Sequence, residues 1–306
     1  MKILLTGANG LVGSAIKRRL ETVPTAETIA ITRTDLDLLD EHATSAYLKR
    51  LKPDVVIAAA AVVGGIKANL REPVRFLLDN LAIQNNLMMA SARANVSRFM
   101  FLASSCIYPR LAPQPMSESA LMTGPLEPTN ESYALAKLAG IQLARSLQQE
   151  GLLRFTVLIP PNVYGLNDHF DLERSHVLSS LIRRFSDAVL DGKNTISVWG
   201  SGKARREFIN SDDLADAVVF LLHNTDAPFL INVGVGKDIS IRDVAYLIAE
   251  ITEFSGEITF DRNQPEGMPQ KLLDSRVIQS LGWLPRVTLA DGLMQLAASY
   301  RSRTSV

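Results

Sequence analysis

The sequence predicts an α/β fold: a doubly wound parallel sheet followed by a smaller, mixed α/β lobe. Three observations predict it. Short unbroken apolar runs alternate with helix-period segments through the first half. A glycine-rich turn joins the first run to the first helix. After Pro160-Pro161 the rhythm breaks into shorter elements between stretches rich in Gly, Asn, Asp and Pro.

A strand buried on both faces reads as a continuous apolar run, and such strands alternating with helices make a parallel sheet covered on both sides. The strand candidates are 2–6, 28–32, 55–59, 98–103 and 155–159. Between them, 11–22, 41–51, 73–94 and 133–150 carry helical patterns. Right-handed crossovers then give a doubly wound sheet. Beyond Pro161, the segments 176–190, 211–222, 241–251 and 289–300 read as helices, and 196–199 and 229–233 as strands. Thr288 with Asp291 three residues on is an acidic variant of the capping box for the last helix. The expected division is a nucleotide-binding domain over 1–160, to which about 205–225 returns, and a substrate lobe over 161–306.

Composition narrows the function. The 32 basic and 32 acidic residues cancel, so no global field points to nucleic acid or an anionic membrane. One cysteine makes an intramolecular disulfide impossible, and one Cys with four His forms no dense metal motif. No apolar stretch of about 20 residues suggests a spanning helix. The opening Ile3-Leu4-Leu5 breaks at once into Thr6-Gly7-Ala8-Asn9-Gly10, unlike a signal peptide. The expected compartment is the cytoplasm.

The turn Gly7-Ala8-Asn9-Gly10-Leu11-Val12-Gly13 follows the first strand and opens the first helix. There, glycines let backbone N–H groups approach a pyrophosphate, and the helix N-terminus adds unpaired donors. This is a Rossmann dinucleotide site with G-x-x-G-x-x-G spacing. Gly7, Asn9, Gly10, Leu11, Val12 and Gly13 are its cofactor-binding candidates. An acid at the end of the second strand would repel a 2′-phosphate; Arg33 stands there instead, which favours NADP(H) over NAD. Two readings of Asp40 stand: a contact to adenine, or the N-cap of the next helix.

Tyr133 and Lys137 are four residues apart, on one helix face. A lysine charge beside a phenol is expected to lower the phenol pKa. Ser104 follows the fourth strand, at the sheet edge where open parallel sheets bind ligands. Together Ser104 and Tyr133 can hold a carbonyl oxygen while carbon receives a hydride, with Tyr133 donating the proton and Lys137 also reaching the nicotinamide ribose.

These residues and several longer segments resemble the extended short-chain dehydrogenase/reductase family. The segments are Ala58-Ala59-Ala60, Val63-Gly64-Gly65-Ile66, Ser104-Ser105-Cys106-Ile107-Tyr108-Pro109, Leu126-Glu127-Pro128-Thr129-Asn130-Glu131, Ser175-His176-Val177, Trp199-Gly200-Ser201-Gly202 and Arg206-Glu207-Phe208. Within the family, the Ser-Ser-Cys-Ile-Tyr-Pro and Ser-His-Val segments are similar to those of epimerase-reductases acting on GDP-4-keto-6-deoxymannose. The resemblance implies 3,5-epimerisation and NADPH-dependent C4 reduction of that GDP-linked 4-keto-6-deoxysugar to GDP-L-fucose. It implies Cys106 as the base and His176 as the acid. It also implies Arg184, Arg206 and Lys271 as substrate-binding cations, with Asn162 and Trp199 lining the pocket, and a homodimer built on helices 73–94 and 133–150. From the residues alone, Cys106 could equally be a small buried hydrophobe, His176 a helix cap and Trp199 core packing. A colitose- or heptose-type substrate, or a catalytically silent NADP-binding regulator, are the competing functions. Two positions depart from the family pattern: Val62 stands where Lys is frequent, and Asn9 where Arg is common in the glycine loop.

Overall fold

Each strand and helix expected from periodicity forms, with ends shifted by one or two residues, except that the last helix runs four residues further. In the computed structural model, which describes residues 1–304, the first half runs β1 (Lys2–Thr6), α1 (Leu11–Leu20), β2 (Glu27–Ile31), α2 (Glu41–Leu51), β3 (Val55–Ala58), α3 (Ile66–Arg71), α4 (Pro73–Arg93), β4 (Arg98–Leu102), α5 (Glu131–Gln149) and β5 (Arg154–Ile159). The second half runs β6 (Asn162–Tyr164), α6 (Val177–Leu190), β7 (Thr195–Trp199), β8 (Arg205–Asn210), α7 (Ser211–His223), β9 (Leu230–Asn232), β10 (Asp238–Ser240), α8 (Ile241–Thr252), β11 (Glu257–Asp261), β12 (Gln270–Lys271), α9 (Arg276–Ser280) and α10 (Leu289–Thr304). The elements absent from the sequence reading are α3, β6, β8, β10, β11, β12 and α9. All are short, and the strands among them are defined by partners distant in sequence rather than by a repeating pattern.

Six strands form one parallel sheet in the order β2-β1-β3-β4-β5-β9. The order reverses between β1 and β3, which places a ligand crevice at their carboxyl ends. Alternate side chains of each strand face opposite layers. Leu4, Val56, Phe99 and Phe101 pack under α2, α4 and α5, against Leu48, Met88 and Ile141. Ile3, Leu5, Ile57 and Met100 pack under α1 and α7, against Ile16, Leu214 and Val218. Burying each such aliphatic or aromatic side chain contributes about 1.5–3 kcal/mol. The helix over 211–223 thus returns to the sheet, and β9 and Ile278 of α9, from still later in the chain, join the same layers.

The remaining elements build the mixed part. Strand β8 is its centre, paired with β6 and β12 in parallel and with β10 in antiparallel fashion. A third core joins α6, α8 and α10 around Ile182, Phe185, Ile248 and Leu296. The Thr288 cap forms: its Oγ1 accepts the Asp291 N–H at 3.2 Å and donates to the Asp291 carboxylate at 2.6 Å. No helix among the described residues is long and apolar enough to cross a membrane.

Candidate active site

Strand β4 is buried along its whole length and delivers Ser104 to the carboxyl edge of the sheet. Ala103 still donates to Leu158 O at 2.8 Å, so the chain stays in register until the serine. Ser104 then caps a 3-10 turn over Ser105–Ile107, its Oγ accepting the Cys106 N–H at 3.3 Å. Helix α5 is seated close to α4 because Gly140 offers no side chain: a Cβ there would lie 2.7 Å from Gln84. Gln84 in turn donates to Ala136 O at 2.6 Å. This contact sets the height of Tyr133 and Lys137 above the sheet edge.

Lys137 is buried and donates through Nζ to Leu102 O at 3.0 Å, with the Phe101 ring 4.7 Å away. Burial pushes its ammonium pKa down to about 8. The expected lowering of the Tyr133 phenol is not what the structure gives. Burial raises the phenol well above its ordinary range, a Cys106 charge raises it further, and the Ser104 hydrogen bond opposes both. The Lys137 ammonium, 5.9 Å from the phenol ring centroid, is directed to Leu102 O, and desolvation prevails at the phenol. Tyr133 therefore keeps its proton at neutral pH, as a proton donor must.

Cys106 Sγ receives two donors, Asn130 Nδ2 at 3.1 Å and Lys271 Nζ at 3.3 Å. Burial pushes its thiol up, but the Lys271 ammonium, the Ser104 hydroxyl and the more distant Arg206 guanidinium outweigh it, and the thiol lies below its ordinary range. Asn130 was not among the residues singled out from sequence. Its motif, Glu127-Pro128-Thr129-Asn130, was visible, but the contact joins residues 24 apart across a turn.

His176 is the N-terminal flanking residue of α6, half-buried, and its ring makes no capping bond. The segment leading to it is packed on the glycines before α3. Gly65 N–H donates to Arg174 O at 3.0 Å, and a Cβ on Gly65 would lie 2.7 Å from Ser175 O. Asn80 clamps Val62 from both sides, accepting its N–H and donating to its carbonyl, each at 2.9 Å. Beside Gly64 lies Phe76, whose ring meets Tyr133 edge-on at 6.4 Å. A short chain of packing contacts therefore runs from the His176 segment to Tyr133.

The glycine turn fits a dinucleotide. Gly7 adopts φ +71°, and a Cβ there would lie 2.8 Å from the Ala60 backbone; a Cβ on Gly13 would lie 2.1 Å from Gly7 O. Gly10 caps α1 without a side chain, and Asn9 and Gly10 are exposed at its N-terminus, next to the half-buried Leu11 and Val12. Arg33 is exposed just beyond β2, in a 3.4 Å ion pair with Asp37. The nearby exposed Asp35 is held back on its own turn, accepting from Thr32 N and Oγ1 at 2.8 and 2.7 Å. Asp40 is the N-cap of α2, accepting the Ala43 N–H at 2.9 Å.

The predicted substrate cations lie on the mixed part. Arg206 and Lys271 are paired in register on β8 and β12. Arg206 is held by Arg205 O at 2.7 Å and Glu266 O at 2.8 Å, and burial lowers its guanidinium pKa. Arg184 reaches from α6 to Ser197 O on β7. Trp199 ends β7 half-buried, its ring covered by Lys67 Nζ of α3 at 4.8 Å. Asn162 donates to Glu207 O at 2.9 Å. Lys271 differs from the others, for its ammonium is committed to Cys106.

A family model described as the NAD dependent epimerase/dehydratase family matches residues 3–234. The chain belongs to that family. GDP-L-fucose synthase 1 of Arabidopsis thaliana is 45% identical to it, over 96% of this chain and 91% of the relative. GDP-L-fucose synthase of Escherichia coli (strain K12) is 42% identical, over 95% and 94%. A crystal structure of a GDP-L-fucose synthetase from Naegleria fowleri bound to NADP superposes with a TM-score of 0.90 at 27% identity, covering 100% of this chain and 95% of that one. The doubly wound sheet described above is the fold shared with these relatives.

Proposed function

We propose that this chain is a bifunctional epimerase-reductase, converting GDP-4-keto-6-deoxy-D-mannose to GDP-L-fucose by 3,5-epimerisation and NADPH-dependent C4 reduction. The observation that carries this reading is the placement of Cys106, with its two donors, on the turn that Ser104 caps. A reductase needs Ser104, Tyr133 and Lys137 alone; a thiol beside their carbonyl site adds a base.

In this mechanism the Cys106 thiolate removes the acidic proton beside the C4 ketone. The hydroxyls of Ser104 and Tyr133 donate to O4 and stabilise the enolate. His176 delivers a proton to the opposite face, which inverts the carbon. The cycle serves C3 and C5, and Tyr133 finally gives its proton to O4. When bound, NADPH supplies the hydride for C4. The turn from Gly7 to Gly13 would hold its pyrophosphate, Arg33 its 2′-phosphate and Lys137 its nicotinamide ribose. Arg184 and Arg206 serve the substrate diphosphate, with Asn162 and Trp199 lining the sugar-nucleotide pocket.

The domain reading that goes with this assigns 1–160 and about 205–225 to the cofactor and the rest of 161–306 chiefly to the nucleotide sugar. Exposed Val74 and Leu78 on α4 and Leu135 on α5 support a homodimer through these helices. A base that must stay a free thiol suits a reducing, cytoplasmic setting.

The test is NADPH oxidation with a panel of GDP-, CDP- and dTDP-4-keto-6-deoxysugars in D2O, with products identified by NMR. Deuterium at C3 and C5 of a reduced GDP-sugar is expected. Reduction without deuterium would indicate a simple C4 reductase. Turnover only of a 3,6-dideoxy substrate would indicate a colitose-type enzyme. NADPH binding without turnover of any member would indicate a regulator.

A further inference from the structure

Lys271 is an unusual cation. It is only 6% exposed, and no carboxylate among the described residues forms an ion pair with it. A buried ammonium without a counter-charge is strongly unfavourable. The polar side-chain atom it meets is Cys106 Sγ, at 3.3 Å. A thiolate there supplies the missing negative charge, and Asn130 Nδ2 at 3.1 Å adds a second donor that a thiolate accepts well.

The position of the ammonium is built rather than incidental. Lys271 lies on β12, paired with Arg206 of β8. The next two backbone N–H groups are both held: Leu272 by Gln114 Oε1 at 2.9 Å and Leu273 by the buried Glu207 carboxylate at 2.8 Å. The thiol comes from the other part of the fold, on the turn after β4. The titratable groups around Sγ are Lys271 from β12, Arg206 from β8 and Tyr133 from α5. The two cations favour thiolate, and Tyr133 stays neutral.

We propose that Lys271 is the positioning residue that holds Cys106 as a thiolate, so that the epimerising base is assembled only where β12 meets the Ser104–Cys106 turn. This rests on Cys106 being the base. It distinguishes the two activities within one site: Lys271 and Asn130 serve proton abstraction, Lys137 serves reduction, and Ser104 and Tyr133 serve both. Burial pushes the thiol up, but the Lys271 charge and the Ser104 bond outweigh it and leave the thiol below its usual range, in agreement with this role.

Cys106 is the chain's one cysteine, so the pH dependence of alkylation by iodoacetamide reads it without interference. In the wild-type protein the thiol is expected to titrate below the free-thiol value of about 8.5. Lys271→Met should raise that midpoint by about one unit or more, cutting alkylation at neutral pH about tenfold. Lys271→Arg should restore most of the shift, which a purely structural role would not do. Lys271→Met should also slow deuterium entry at C3 and C5 far more than C4 reduction. A wild-type thiol titrating at or above the free value overturns the proposal, even if Lys271→Met fails to fold. So does a midpoint unchanged in a folded Lys271→Met. Full deuterium exchange in Cys106→Ser would instead sink the base reading, while the alkylation midpoints still decide the pairing.

Discussion

The Glu207 carboxylate and the Leu273 backbone are joined by a 2.8 Å hydrogen bond, and the second carboxylate oxygen accepts Gly236 N–H, also at 2.8 Å. Glu207 is fully buried on β8, so one side chain ties three segments together two residues from Lys271. Burial pushes its carboxyl up to about 7, with the backbone donors opposing. The unfolded group titrates at its ordinary 4.5. Between these values the folded state keeps a proton that the unfolded state has released, so this group's contribution to stability falls as pH rises and is lowest above about 7. Urea unfolding at pH 5 and pH 8 should show a loss on the order of 3 kcal/mol from this group. Glu207→Gln should remove that pH dependence; an unchanged slope would show that the loss arises elsewhere.

Cys106→Ser should abolish epimerisation and retain C4 reduction of the unepimerised substrate. A serine hydroxyl keeps the size of the group but is far too weak an acid to exist as the anion that Lys271 favours. The check is deuterium content at C3 and C5 alongside NADPH oxidation. Equal loss of both activities would count against the base assignment.

Tyr133→Phe should slow C4 reduction about 10²–10⁴-fold, the usual contribution of a positioned proton donor. NADPH affinity should change little, since the phenol serves O4 rather than the cofactor. Fluorescence titration of NADPH and single-turnover oxidation separate the two effects.

Gly65→Ala should impair epimerisation selectively. Its methyl would lie 2.7 Å from Ser175 O, so the segment carrying His176 must move. The strain should cost about 1–3 kcal/mol of stability. Thermal unfolding measures that cost, and deuterium incorporation reads the displaced acid.

Arg33→Ala should weaken NADPH binding about ten- to a hundredfold, through loss of charge-assisted bonds to the 2′-phosphate. NADH affinity should stay the same. A parallel loss for both cofactors would place the effect in folding rather than in phosphate recognition.

Local sequence was enough to specify the doubly wound sheet, because unbroken apolar strands and amphipathic helices are local patterns that tertiary packing only ratified. It also determined the glycine turn and the Tyr133–Lys137 pair, whose spacings carry their meaning within a few residues. The tertiary structure decided the short strands around β8, whose partners lie up to about 65 residues away in sequence. It reversed the electrostatic expectation at Tyr133, where desolvation outweighs a lysine that instead donates to Leu102. It added Asn130 and moved Lys271 onto Cys106, a contact spanning 165 residues. Charge interactions depend on distance and burial, and neither is written in local order. That is why the reductase residues were legible as a motif, while the environment of the epimerising thiol emerged only from the fold.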